Sequence, residues 1–294
     1  MICGGEPFSY YDCLSQDRFI SSDMLRRTDL DHDIFIKSYG VVIRLTSNSP
    51  ETFQHALPEI TANLPGCTFD KHRSEFDHQF TYIWNPGRLD GVYKNGEKVA
   101  VRRRREWAFQ LLGSQIRLTV AEHAPNHTFV HAGVVAVNNK GIVIPAKSFA
   151  GKTTLTYELV KRGAIYYSDE YAVIDHKGYI HPFPKDISMR GIVDDQTQVE
   201  ITPASIGGTV GTKPVRTGLI LITHYTKSSK WNPKPMTAGQ AFLELINHTI
   251  PIRQNPQMTV SALTKMLDGA TILRSPRGDA GTTADAILEL LRTA

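Results

Sequence analysis

The pattern of apolar and polar positions changes near residue 125, and the change divides the chain. Residues 1 to about 38 show no clear period. Val41-Val42-Ile43-Arg44-Leu45 then predicts a strand. Ser49-Pro50-Glu51 opens a helix with a capping serine and a first-turn proline; it runs to about Leu64, where Pro65-Gly66 stops it. Short strands are predicted over 80–84, 91–93 and 98–102, separated by Asn85-Pro86-Gly87 and by Asn95-Gly96, a favourable hairpin turn. A helical pattern through Trp107, Leu111, Leu112, Ile116, Leu118 and Val120 continues to about Ala124, and Pro125-Asn126 ends it. These elements describe a small α+β lobe over residues 1–125.

Beyond 125 strands and helices alternate, which predicts an α/β domain over 126–294. A strand over 128–137 turns at Asn138-Asn139-Lys140-Gly141 into the β-branched run Ile142-Val143-Ile144. A helix follows over 151–162 with Gly163 as its C-cap, then one strand over 164–174 carrying Asp169 and Glu170. Residues 194–217 are loop-rich, with Gly207-Gly208, Gly211 and Pro214. A strand over 218–223, helices over 238–247 and 260–267, a short strand over 270–273 and a helix over 282–291 complete the chain.

Composition alters this picture little. The 294 residues are 41% hydrophobic and 21% charged, as in ordinary globular proteins. A net charge of +4 suits an anionic ligand and does not by itself imply nucleic acid. The three cysteines, Cys3, Cys13 and Cys67, have no metal-site spacing and read as free thiols. With no signal-peptide pattern and no apolar run of membrane-spanning length, a cytoplasmic protein without membrane partners is expected. Arg102-Arg103-Arg104-Arg105 is the dense basic run, read as a solvated face or an anion contact. It lacks interleaved aromatics, so a nucleic-acid partner is the weakest candidate.

Chemistry concentrates on the stretch after Ile144. A phosphate-binding loop is written G-x-x-x-x-G-K-[ST]; here Gly151, Lys152 and Thr153 fill the last three positions and Ala146 replaces the first glycine. Strand, loop and helix occur in the required order. Such a loop offers helix N–H groups from Ala150 to Thr154 to a polyphosphate, the Lys152 ammonium to its oxygens and the Thr153 hydroxyl to magnesium. Asp169-Glu170 lies 17 residues after Lys152, on a strand expected to pair in parallel beside the loop's own strand. One carboxylate can hold the metal and the other can take a proton from a hydroxyl. His131 lies in an apolar strand, where a core role competes with a role beside the carboxylates.

Four segments together, His131-Ala132-Gly133-Val134-Val135, Ala150-Gly151-Lys152-Thr153-Thr154, Arg162-Gly163-Ala164 and Tyr167-Ser168-Asp169-Glu170-Tyr171-Ala172-Val173, resemble the catalytic domain of the HPr kinase/phosphorylase family. The resemblance spans about residues 127–225. It implies an α/β fold with a phosphoenolpyruvate-carboxykinase-like P-loop core, using ATP and Mg²⁺ to phosphorylate a serine hydroxyl. By position it implies Lys152 on the β/γ phosphates, Thr153 and Glu170 on the metal with Asp169 close by, Asp169 on the attacking hydroxyl and His131 on the Asp169 carboxylate. Ser188-Met189-Arg190-Gly191 falls where the family has Glu-Ile-Arg-Gly, so Arg190 is placed on the transferring charge while Ser188 departs from the pattern. Lys213-Pro214-Val215-Arg216 is similar to the family's basic loop, which would bring Arg216 or Lys213 to the γ-phosphate.

The lobe over 1–125 does not resemble the family's usual N-terminal domain. Such departures are similar to divergent members associated with peptide modification, including kinases of lasso precursor peptides. A peptide or small protein bearing an acceptor serine is then the expected partner, with a homo-oligomer possible. A kinase of a free amino acid or sugar hydroxyl would use the same core, and a regulator that binds ATP without transfer is the non-enzymatic rival.

Overall fold

The computed structural model describes residues 30–85, 87–102, 104–146, 150–189 and 199–293. The chain forms two compact units that interleave along the sequence rather than parting at one point after residue 125. Of the described residues, the first takes in 30–36 with Val42–Leu57 and Phe69–Leu112; the second comprises Lys37–Val41, Pro58–Thr68 and those from Gly113 onward.

The first unit is built on a sheet of six strands: β1 (His32–Ser38), β2 (Val41–Ser47), β3 (Thr68–Asp70), β4 (His78–Ile83), β5 (Asp90–Lys94) and β6 (Glu97–Arg102), in the order β3-β1-β2-β4-β5-β6. The β5–β6 turn places both Asn95 and Gly96 at positive φ, the backbone that a two-residue hairpin of matching twist requires. Helices α1 (Glu51–Asn63) and α2 (Arg105–His123) straddle the two units in sequence. The Ser49 hydroxyl bonds the Glu51 carboxylate at the start of α1. Within this unit the rings of Tyr82 and Phe109 stack at 4.5 Å. The arginine run is largely accounted for locally: Arg104 lies over Trp107, while Arg105 lies over Trp84 and pairs with buried Asp90 at 2.8 Å. Arg103 lies outside the described residues.

The second unit is an eight-stranded mixed sheet. Its strands are β7 (His127–Val137), β8 (Lys140–Pro145), β9 (Ile165–Ser168), β10 (Tyr171–Asp175), β11 (Ile180–His181), β14 (Arg216–Tyr225), β15 (Lys234–Pro235) and β16 (Thr271–Arg277). They run β11-β10-β7-β8-β14-β16-β15, with β9 also on β7; β12 (Ile187–Met189) and β13 (Val199–Ile201) form a separate pair. β8, β14 and β16 are mutually parallel neighbours. Their unbroken apolar sequences follow from burial on both faces. Ile142, Ile144, Leu219 and Leu221 pack with helices α3 (Lys152–Lys161) and α6 (Ala280–Thr293) on one face. Val143 and Ile220 pack with α4 (Ala238–Ile246) and α5 (Pro256–Leu267) on the other. No helix among the described residues is long and apolar enough to cross a membrane.

One pairing differs from expectation. The strand expected over 164–174 is two strands, β9 and β10, and both pair antiparallel with β7 rather than in parallel with β8. The eleven-residue β7 takes β9 against 134–136 and β10 against 127–131, so it lies between Asp169-Glu170 and the strand that leads into the loop.

Candidate active site

β8 ends at Pro145 and α3 begins at Lys152. Residues 147–149 of the connecting loop lie outside the described residues. Gly151 is the N-cap, at φ 81°, and no side chain caps the helix. Its left-handed backbone is natural to glycine and strained for any other residue. The first-turn N–H groups and the positive dipole end of α3 are the elementary requirements of an anion site.

Lys152 is buried at 8% exposure, against β7. Gly133 makes its path possible: a Cβ there would stand 3.1 Å from Lys152 Cγ and 2.3 Å from Thr156 Oγ1. The ammonium donates to the Asp169 main-chain carbonyl and lies 3.2 Å from Asp169 Oδ1. This reach resolves the topology, because the lysine side chain spans the β7 position that separates the two backbones.

Asp169 occupies the bend between β9 and β10. Ser168 Oγ pins that bend by accepting from the N–H groups of Glu170 and Tyr171 at 3.0 and 2.9 Å. Burial pushes the Asp169 carboxyl's pKa up, against the opposing pull of the Lys152 ammonium and the Thr153 hydroxyl. Glu170 instead faces Arg117, 3.2 Å away, whose other branch donates to Asn63 Oδ1 at 2.9 Å. Burial also holds the His131 imidazole down to about 4, helped by Lys152 and opposed by Glu170. His131 therefore stands neutral at pH 7. Its strongest charged neighbours are Lys152 and Glu170 rather than the Asp169 carboxylate that the family resemblance implied.

The structure thus brings together Gly151, Lys152, Thr153, Asp169, Glu170 and His131. Ala150 joins them through its carbonyl, which accepts from Tyr225 N–H at 3.2 Å, and Thr154 is exposed on the first turn. Arg216 is not brought there. It pairs with Lys140 at the start of β8, the end of the parallel strands away from the loop, and its guanidinium lies over the Tyr179 ring at 4.4 Å. Arg190 lies outside the described residues. Ser188 bonds Glu200 across the β12–β13 pair at 2.7 Å, beside Lys185. Sequence reasoning missed Arg117 and Arg277, two buried or largely buried arginines on elements whose burial only the fold reveals.

No group of three or more His, Cys, Asp or Glu side chains that could hold a metal occurs among the described residues. Magnesium, however, takes few protein ligands and completes its octahedron with water and phosphate oxygens. The Thr153 hydroxyl and the Asp169 carboxylate it acts on offer hard oxygens of that kind, with Glu170 next in sequence. The residues fit a polyphosphate with a divalent cation.

No family model matches the chain, and no curated protein matches it. Among solved structures it is similar to the Hpr(Ser) kinase/phosphatase from Coxiella burnetii, at 14% identity and a TM-score of 0.29, over 56% of this chain and 96% of that one. So low a similarity carries no weight for function, which must be read from the geometry of the site.

Proposed function

We propose that the protein is an ATP- and Mg²⁺-dependent kinase that transfers the γ-phosphate to a hydroxyl, a serine of a peptide or small protein. The observation that carries this reading is the meeting of Lys152 and Thr153, at the first turn of α3, with the buried carboxylate of Asp169. Lys152 supplies a fixed positive charge to phosphate oxygens, and the α3 N-terminus supplies N–H donors. Thr153 and Glu170, with Asp169 close by, would hold Mg²⁺, which when bound neutralises phosphate charge. Burial raises the proton affinity of Asp169, which suits a group that accepts a hydroxyl proton as transfer proceeds. Arg117 orients Glu170, and neutral His131 can share a proton with it without adding charge to the site. The serine acceptor follows from the motif resemblance at the sequence level.

The test is a transfer screen with radiolabelled ATP against separate pools of serine-containing peptides and of free amino acids and sugars. Label on peptide serine supports the reading. Label only in the metabolite pool would move the acceptor to a small molecule, and ATP binding without transfer to either would leave a nucleotide-binding regulator.

A further inference from the structure

β16 ends in Arg277, and its side chain is directed at the N-terminus of α3. The residue is 2% exposed. One terminal nitrogen donates to the Gly151 carbonyl and the other to the Gly278 carbonyl at 3.2 Å. Its Nε–H is buried with no partner. Among the described residues no carboxylate forms an ion pair with it. Asp279, two residues on, turns Oδ1 to Thr282, accepting from its N–H and Oγ1–H at 2.8 and 2.9 Å.

A guanidinium carries five donors and a full charge; two carbonyls and the Tyr225 ring, 5.8 Å from the guanidinium carbon, leave Nε–H without a partner and the charge without a carboxylate. Packing alone would favour an apolar side chain here. The Gly151 carbonyl does not depend on the arginine, since Leu155 N–H also reaches it at 3.2 Å. Position supplies the remaining term. Arg277 and Tyr225 end the parallel strands β16 and β14 on the same side as the loop, where open α/β sheets bind ligands. A Cβ at Gly151 would lie 2.2 Å from Arg277 Nη2 and 3.4 Å from Tyr225 Cβ, so this glycine keeps the guanidinium against the helix N-cap.

We infer that Arg277 is a phosphate-binding residue of this site, turning its donors from the Gly151 carbonyl to an oxygen of a polyphosphate seated at the α3 N-terminus. The inference rests on the nucleotide reading and adds to it a second cation, on the side of the loop opposite Asp169.

The experiment titrates sodium tripolyphosphate into the full chain and follows binding by calorimetry and by thermal melting, for wild type, Arg277→Met and Lys152→Ala. Arg277→Met should bind tripolyphosphate about tenfold to a hundredfold more weakly, as loss of a charge-assisted hydrogen bond implies. Its melting temperature without anion should equal or exceed that of wild type, because an uncompensated buried charge has been removed. A structural arginine would give the reverse: a destabilised variant whose tripolyphosphate affinity lies within about twofold of wild type. That result, with Lys152→Ala still losing binding, overturns the role of Arg277 and leaves the nucleotide reading standing. Failure of wild type to bind tripolyphosphate overturns both. Should Arg277→Met not fold, the wild-type Arg277 Nε–H resonance, assigned by its loss in Arg277→Lys, decides. A shift on adding tripolyphosphate supports the inference and an unmoved signal overturns it.

Discussion

Replacing Gly133 by alanine tests how the lysine reaches its carboxylate. The added methyl would sit 2.3 Å from Thr156 Oγ1, inside the 3.0 Å that real Cβ contacts respect, and 3.1 Å from Lys152 Cγ. Thr156 is fully buried, so neither it nor the methyl can turn to solvent. Overpacking of this kind costs about 1–3 kcal/mol. Thr156 Oγ1 has no hydrogen-bond partner, so Thr156→Ala gives up packing but no bond and costs about 1 kcal/mol. In the double variant the methyl at 133 occupies the space vacated at 156, and stability should return close to that of Thr156→Ala alone. The favourable coupling should be about 1–2 kcal/mol. Urea unfolding of the four proteins in the cycle measures it, with tripolyphosphate affinity as a second readout that falls in Gly133→Ala and recovers in the double variant. Additivity of the two substitutions within about 0.5 kcal/mol would refute the contact.

Three further outcomes follow from the same geometry. The His131 imidazole is held down to about 4, against 6.5 in the unfolded chain, so unfolding takes up a proton between those values. Stability should fall as pH drops through that window, by up to about 3 kcal/mol, and level off below it. Urea melts of wild type and His131→Gln at several pH values should diverge; coincident profiles would contradict the assignment. In the first unit, Asp90 accepts from Tyr82 Oη at 2.8 Å, Arg105 Nε at 2.8 Å and Asn85 N–H at 2.9 Å. Asp90→Ala should cost about 2–4 kcal/mol by orphaning these donors, and Arg105→Ala less, since Arg105 is about a third exposed. Thermal melts in the opposite order would be evidence against the network. Gly151→Ala should lose tripolyphosphate binding, because it strains a backbone at φ 81° and strikes Arg277; unchanged calorimetric affinity would contradict the described N-cap.

Much of this architecture was legible in the chain, because strong local signals agreed with the tertiary outcome. Asn95-Gly96 and Asn138-Asn139 turn where two adjacent residues must take positive φ. The run Ile142-Val143-Ile144 is apolar throughout because helices cover both faces. β1 was missed because Ile34, Phe35 and Ile36 are buried in succession, which erases the alternation of a half-exposed strand. The start of α5 was placed late, although Asn255 caps Met258 N–H ahead of Pro256. Asp169-Glu170 was legible as a carboxylate pair near the loop but not in its topology: a long apolar run signals burial, not which neighbour it pairs with. Arg277 and Arg117 carried no sequence signal, since an arginine at a strand end or on a helix is ordinary until packing closes over it. Arg216 resembled a loop cation, and only the parallel register to Lys140 separates it from the loop.

In the proposed kinase Lys152 would serve the phosphates and Asp169 the acceptor. The most direct measurement compares MgATP binding with single-turnover phosphate transfer to a seryl peptide in wild type, Lys152→Ala and Asp169→Asn. Lys152→Ala should lose binding and transfer together, whereas Asp169→Asn should keep most of its affinity and lose transfer by about a hundredfold or more. Near-normal transfer by Asp169→Asn would contradict it.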